Sequence, residues 1–137
     1  MVRMVSVLGP AILALILVGT ALAAAPEFTD VTVARARALL QERSGKADFV
    51  ILDVRTPGEF AEGHLPGALN LDLQASDFEA RLNGMDRGKT YLVYCRTGNR
   101  SQRAIQAMKR LGFRSVFHMT EGIVGWQQQK FPLSRSS

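Results

Sequence analysis

The segment Thr90–Ser101, which reads TYLVYCRTGNRS, is the most informative part of this chain for its fold. Its first half is a continuous apolar run, which is typical of a strand buried on both faces. The run ends at Cys95, the one cysteine of the chain, and a glycine-containing loop follows. Apolar residues then recur at helical spacing from about 100 to 111. We therefore predict a strand, a loop and a helix, with Cys95 at the end of the strand.

Apolar runs and helical patterns alternate on both sides of this segment. The predicted strands are 49–54, 68–71 and 115–119, and the predicted helices are 33–43, 57–62, 77–83 and a short one around 125–126. Capping-box patterns at Thr56 and Ser76 open two of these helices. The alternation predicts an α/β fold with a mainly parallel sheet and helices on both faces. Functional sites of such sheets lie beyond the carboxyl ends of the strands, where Asp53, Arg55 and Cys95 are expected.

Residues 1–23 have the pattern of a secretory signal peptide. Arg3 precedes an apolar core at 11–18, and the small residues Ala21-Leu22-Ala23 follow it. We expect cleavage between Ala23 and Ala24, which leaves 24–137 as a single domain. The alternative is an uncleaved anchor, since 5–25 is about long enough to span a bilayer. In both cases the domain lies outside the inner membrane, in the bacterial periplasm.

Composition excludes several classes of site. One cysteine excludes a disulfide within the chain and a cysteine-cluster metal site, and two histidines are too few for zinc without several carboxylates. We expect no metal and no cofactor. The formal net charge of +5 is modest and its basic residues are scattered, so a small anionic substrate is favoured over nucleic acid.

The loop after Cys95 has the residue types of an anion-binding turn. Such a turn can direct successive backbone N–H groups inward, and Gly98 and Asn99 tolerate the left-handed conformation that it requires. The helix N-terminus adds partial positive charge, which favours a thiolate at Cys95. We take the candidate site to be Cys95 with the loop residues Arg96, Thr97, Gly98, Asn99, Arg100 and Ser101.

The two histidines are assigned to packing and not to chemistry. His64 lies in a loop, where we expect it to bond to the backbone, and His118 lies between Phe117 and Met119 in a predicted strand. Neither is adjacent to Cys95 in sequence, so a Cys–His pair is not predicted.

Five motifs in order resemble the rhodanese family, and more closely its exported single-domain thiosulfate sulfurtransferases. They are Asp53-Val54-Arg55, Glu59-Phe60, GHLPGALN at 63–70, YCRTGNRS at 94–101 and EGIVGW at 121–126. One departure is visible, because the family usually has a glycine pair where this chain has Glu121-Gly122.

The resemblance implies a ping-pong reaction through a persulfide on Cys95. Thiosulfate is the implied donor, and the acceptor is thiophilic: cyanide in an assay, and a thiol or dithiol in the cell. Arg96 and Arg100 are candidates to hold the sulfonate. The resemblance also places Asp53 and Arg55 beside the active loop, where we interpret them as a structural pair.

Two alternatives remain open. A phosphatase or arsenate reductase of the related fold places five residues between cysteine and arginine, whereas four separate Cys95 from Arg100. The shorter loop makes a narrower ring of N–H donors, which favours sulfur substrates. A non-catalytic persulfide carrier would have similar site residues, but it should also show an exposed apolar docking patch.

Overall fold

The computed structural model describes Ala14, residues 16–20, Leu22 and residues 24–136. Most of the predicted signal segment, 1–23, lies outside the described residues, and its cleavage stays a prediction. Within the described part of the chain, no helix has the length and apolar character needed to cross a membrane.

Strands and helices alternate through the described chain. The strands are β1 (Glu27–Val31), β2 (Phe49–Asp53), β3 (Leu69–Asn70), β4 (Thr90–Tyr94) and β5 (Ser115–Met119). The helices are α1 (Val33–Arg43), α2 (Pro57–Glu62), α3 (Phe78–Asn83), α4 (Asn99–Arg110) and α5 (Gly122–Gln128).

The five strands form one sheet in the order β1-β5-β4-β2-β3, and every neighbouring pair is parallel. The predicted α/β fold with a parallel sheet is therefore confirmed. β4 is the central strand, and in its register Asp53 pairs with Tyr94 while His118 pairs with Val93. The carboxyl ends of β2, β4 and β5 thus lie side by side at one edge of the sheet.

Alternation along β4 divides the core between the two faces of the sheet. Tyr91, Val93 and Cys95 belong to a buried cluster with residues of α3 and α4. Leu92 and Tyr94 belong to a second cluster with residues of α1 and α5. Because both faces are covered, the last four residues of β4 are buried. Its aliphatic residues Leu92 and Val93 each contribute roughly 1.5–3 kcal/mol through this burial.

The first predicted capping box forms and fixes the start of α2. The Thr56 hydroxyl accepts the Glu59 N–H at 3.3 Å, and the Glu59 carboxylate accepts the Thr56 N–H at 3.0 Å. Pro57 occupies the first helical position and Gly63 ends the helix, as predicted.

Three local predictions were wrong or incomplete. β1 was not predicted, because this edge strand is polar and only Val31 of it is buried. The second capping box does not form: α3 begins at Phe78, and the Asp77 side chain makes no capping bond because a turn from Ala75 to Phe78 precedes the helix. The strand predicted at 68–71 is limited to β3.

Candidate active site

Cys95 follows β4 directly, and its side chain is buried, with 1% of the residue exposed. Its Sγ accepts the Gly98 N–H at 3.0 Å and lies 3.2 Å from the Ser101 Oγ. Burial opposes ionisation of the thiol, but hydrogen bonds from Ser101, Gly98 and Thr97 outweigh it, so the pKa of Cys95 is lowered. The site therefore stabilises the thiolate, the reactive form of cysteine, more than water stabilises the thiolate of a free cysteine.

The loop at 95–101 takes its shape from Gly98. This residue has φ +105°, and a Cβ at this position would lie 2.5 Å from the Thr120 carbonyl oxygen. The left-handed turn directs the Gly98 N–H at the sulfur, and α4 begins at the next residue. The partial positive charge of the α4 N-terminus therefore lies next to Cys95, as the sequence predicted.

Helix α5 holds the outer side of the same loop. The N–H groups of Ile123 and Val124 donate to the carbonyls of Cys95 (2.9 Å) and Arg96 (3.2 Å). The close approach depends on Gly122, which has φ +65° and where an added Cβ would lie 2.1 Å from the Arg96 carbonyl oxygen. Because these carbonyls face α5, the loop N–H groups remain free to face the sulfur.

The departure at Glu121-Gly122 is compatible with this arrangement. Glu121 has φ −75° and ψ −13°, a right-handed conformation that accepts a side chain. Its carboxylate accepts the Val33 N–H at 3.2 Å, which connects α5 to the start of α1. At this turn the chain therefore requires only the second glycine of the pair.

The two loop arginines have different environments. The Arg100 guanidinium makes two bonds to the Glu59 carboxylate, at 2.7 and 2.8 Å, and these bonds lower the pKa of Glu59 to about 2. The Arg100 guanidinium is therefore paired with a side chain of α2, and its contact with a substrate sulfonate stays a prediction. Arg96 is exposed and lines a cavity of about 190 Å³ together with Arg55 and Val124.

Asp53 and Arg55 form the buried pair that was expected to be structural. The Arg55 Nη2 lies 2.6 Å from Asp53 Oδ2 and also donates to the Gly63 carbonyl at 2.7 Å. Asn70 donates to the backbone carbonyls of both residues, at 3.1 and 2.8 Å. The pair therefore ties the end of β2 to the 63–70 loop, beside the cavity that Arg96 lines.

The remaining loop residues, Thr97 and Asn99, line a separate polar cavity of about 330 Å³. Asp30, Lys109 and His118 line the same cavity. It lies on the β1 and α4 side of the loop, whereas the cavity of Arg96 lies on the α2 and α5 side.

The sequence predicted the hydrogen bond of one histidine but not that of the other. His64 has its Nδ1 2.7 Å from the Phe60 carbonyl, in agreement with the predicted backbone bond. His118 is buried as predicted, but its Nε2 lies 2.6 Å from the Ser101 Oγ, next to the reactive sulfur. Side chains two residues apart on a strand point to the same face of the sheet, and Val116 packs in the same cluster as Cys95. The alternation along β5 could therefore have predicted that His118 lies on the Cys95 side of the sheet.

A family model described as "Rhodanese-like domain" matches residues 36–129. The chain belongs to the rhodanese-like domain family. It is 30% identical over 95 residues to a protein of Allochromatium vinosum named "Sulfurtransferase", and the match covers 69% of this chain and 87% of that relative. A Bacillus subtilis protein named "Putative sulfur carrier protein YrkF" is 33% identical over 76 residues, which are 56% of this chain and 40% of that protein.

Solved structures agree with this assignment. A rhodanese-related protein from Thermoplasma volcanium superposes with a TM-score of 0.66 at 25% identity, covering 79% of this chain and 99% of that structure. The relatives of this rhodanese-like domain therefore include proteins named as a sulfurtransferase and as a putative sulfur carrier. This chain has one cysteine, Cys95.

Proposed function

We propose that this rhodanese-like domain is a thiosulfate sulfurtransferase that works through a persulfide on Cys95. The observation that carries the proposal is the environment of the Cys95 sulfur. It is buried, it accepts the Gly98 N–H at 3.0 Å, and it lies 3.2 Å from the Ser101 hydroxyl at the N-terminus of α4. A thiolate held in this way is a ready nucleophile.

The reaction has two balanced steps. The Cys95 thiolate attacks the outer sulfur of thiosulfate, the S–S bond of thiosulfate breaks with its electron pair leaving on sulfite, and Cys95–S–S⁻ forms. A thiophilic acceptor then attacks the outer sulfur of the persulfide. Cyanide leaves as thiocyanate, and the Cys95 thiolate is restored. A thiol or dithiol is the proposed acceptor in the cell.

Electrostatics favour the same site for both forms of the enzyme. The thiolate and the persulfide each carry one negative charge, so the N–H groups of the loop and the α4 N-terminus stabilise both forms without reorganisation. Arg96 is the proposed contact for the sulfonate of thiosulfate, because its exposed side chain lines the cavity on the α2 side of the loop.

The position of Arg100 argues against the phosphatase and arsenate reductase alternative. An oxyanion enzyme needs a guanidinium above the nucleophile to hold two oxygens of its substrate. Here both Arg100 bonds go to Glu59, at 2.7 and 2.8 Å. Because both of these donor groups are engaged by Glu59, the arrangement does not favour the oxyanion alternative.

The test is thiocyanate formation from thiosulfate and cyanide by the wild type, by Cys95→Ser and by Arg110→Ala. Arg110 is the matched control, since its ion pair with Glu79 lies on the surface. We expect turnover by the wild type and the control and none by Cys95→Ser. Folded, reduced wild type that takes up one sulfur but does not turn over would indicate a carrier, and the absence of sulfur uptake would overturn the proposal.

We also propose that the domain is exported to the periplasm. The support is the sequence pattern of 1–23, with its apolar core and its Ala21-Leu22-Ala23 site. The test is N-terminal sequencing of the full chain after expression and fractionation of bacterial cells. Periplasmic protein that begins at Ala24 is expected. Membrane-bound protein that retains Arg3 would indicate the anchor, and unprocessed cytoplasmic protein would refute export.

A further inference from the structure

The Ser101 hydroxyl has three polar neighbours but only one hydrogen to donate. Its Oγ lies 2.6 Å from His118 Nε2, 3.1 Å from the Gly98 carbonyl oxygen and 3.2 Å from Cys95 Sγ. The carbonyl can only accept, whereas the sulfur and the imidazole nitrogen can each accept or donate, depending on where their protons lie. The direction of the Ser101–His118 bond therefore decides what Ser101 can offer to the sulfur.

The other ring nitrogen of His118 indicates which direction holds when the ring is neutral. Nδ1 lies 3.4 Å from the Asp30 carboxylate, which can only accept a hydrogen when ionised. A neutral ring therefore keeps its proton on Nδ1, and Nε2 accepts the Ser101 hydrogen. In that state Ser101 has no hydrogen left for the sulfur. A Cys95 thiolate is then held by the backbone N–H groups of the loop alone, whereas a Cys95 thiol can donate to the Ser101 Oγ.

We propose that His118 is a positioning residue that exchanges a proton with Cys95 through the Ser101 hydroxyl. This inference rests on the proposed role of Cys95 as the nucleophile. The Sγ–H proton passes to Ser101 Oγ while the Ser101 hydrogen passes to His118 Nε2. The product is a Cys95 thiolate that accepts from Ser101, which in turn accepts from the His118 imidazolium. No proton is gained or lost.

The surroundings of His118 are suited to this exchange. Burial lowers the pKa of His118, although the Asp30 carboxylate opposes this effect, so the ring is neutral at pH 7 and its Nε2 can accept the Ser101 hydrogen. The charged groups that share its cavity are Asp30 on β1 and Lys109 on α4, while its β4 partner Val93 cannot titrate. The polar cavity of about 330 Å³ gives the ring a route to solvent protons.

Proton coupling of this kind is reciprocal, which gives a test that leaves His118 unchanged. Proton titration of the His118 ring is followed by NMR in the wild type, in Cys95→Ala and in Ser101→Ala. We expect the midpoint to fall in both variants by roughly one pH unit, equivalent to a tenfold change in proton affinity, because the thiolate partner is lost or disconnected. The His64 signals are the internal control and should not differ. An unchanged His118 midpoint would overturn the proposal.

Alkylation of Cys95 by iodoacetamide measures the same coupling from the sulfur. We expect His118→Gln, which keeps a hydrogen-bonding group but cannot titrate, to slow alkylation roughly tenfold at about pH 6.5. The same substitution in a Ser101→Ala background should have no further effect. Slowing of equal size in both backgrounds would mean that His118 acts only on structure, and would refute the relay.

These measurements do not require sulfur transfer. Coupling between His118 and Cys95 without thiosulfate turnover would refute the proposed function alone. Normal turnover without coupling would refute the relay alone.

Discussion

The contact between α5 and the Cys95 loop predicts a severe effect of Gly122→Ala. The added Cβ would lie 2.1 Å from the Arg96 carbonyl oxygen, and contacts below 3.0 Å essentially never occur, so the loop or α5 must move by at least about 0.9 Å. Such a movement breaks the bonds from Ile123 and Val124 to the carbonyls of Cys95 and Arg96. The N–H groups on the inner side of the loop then lose their alignment on the sulfur.

Two contributions set the size of this effect. An alanine in the left-handed conformation of Gly122, φ +65°, costs about 1–2 kcal/mol. Loss of two backbone hydrogen bonds adds about 1 kcal/mol each. We therefore expect Gly122→Ala to lower the free energy of unfolding by about 3–4 kcal/mol, and the variant protein that remains folded to alkylate at Cys95 more than about tenfold more slowly than wild type.

Substitutions at two other glycines serve as controls that distinguish the cost of backbone strain from the cost of a steric clash. Gly45 has φ +77° with no atom within 4 Å of an added Cβ, so Gly45→Ala should cost only the strain, about 1–2 kcal/mol. Gly58 has neither a left-handed φ nor a neighbour within 4 Å, and Gly58→Ala should leave stability unchanged or slightly increased.

The assay is urea denaturation of the four proteins together with the rate of iodoacetamide alkylation at Cys95. Only Gly122→Ala should change the alkylation rate in the folded protein. The proposed clash is wrong if Gly122→Ala costs no more than Gly45→Ala and leaves the alkylation rate at the wild-type value.

Three further predictions concern the charged groups around the site. Asp53→Asn should lower the free energy of unfolding by about 3–5 kcal/mol, because the Arg55 charge is then buried and unpaired. The measurement is urea denaturation, with Glu79→Gln as the control because it removes the exposed ion pair with Arg110. Equal losses of stability in the two variants would contradict the prediction. The ion pair of Glu59 with Arg100 should stabilise the fold by up to about 1 kcal/mol. This contribution should be fully present at pH values above the pKa of Glu59 in the unfolded chain, about 4.3. The contribution should be lost as the pH falls towards the pKa of Glu59 in the folded protein, about 2. The difference in free energy of unfolding between wild type and Glu59→Gln should therefore shrink over that pH range. A difference that stays constant would count against the ion pair. Arg96→Ala should raise the KM for thiosulfate about tenfold while Arg110→Ala does not, and steady-state kinetics showing an unchanged KM would exclude Arg96 as the sulfonate contact.

Sequence patterns predicted the elements that are buried on both faces. β2 and β4 have continuous apolar runs because helices cover both sides of the sheet, and such runs are visible without a structure. β1 lacks that signal because it lies at the sheet edge with only Val31 buried. Its existence depends on pairing with β5, which is a tertiary contact.

Residue types were enough to propose the candidate site, but they did not give the directions of its side chains. The Cys95 loop could be recognised because its turn depends on residues that are adjacent in sequence, with glycine and asparagine between a strand and a helix. The partners of Arg100 and His118 come from α2 and α4, which are distant in sequence. The capping role of Glu59 was predicted, whereas its second role, as the partner of Arg100, required the packing of α2 against the loop.

Persulfide formation on Cys95 can be observed by intact-protein mass spectrometry of the reduced domain after incubation with thiosulfate, with sulfite measured in the same sample. We expect the addition of one sulfur atom on Cys95 for each sulfite released, no addition in Cys95→Ser, and complete loss of the added sulfur when cyanide is supplied. Folded domain whose Cys95 alkylates readily with iodoacetamide but gains no sulfur from thiosulfate would show that the persulfide mechanism is wrong.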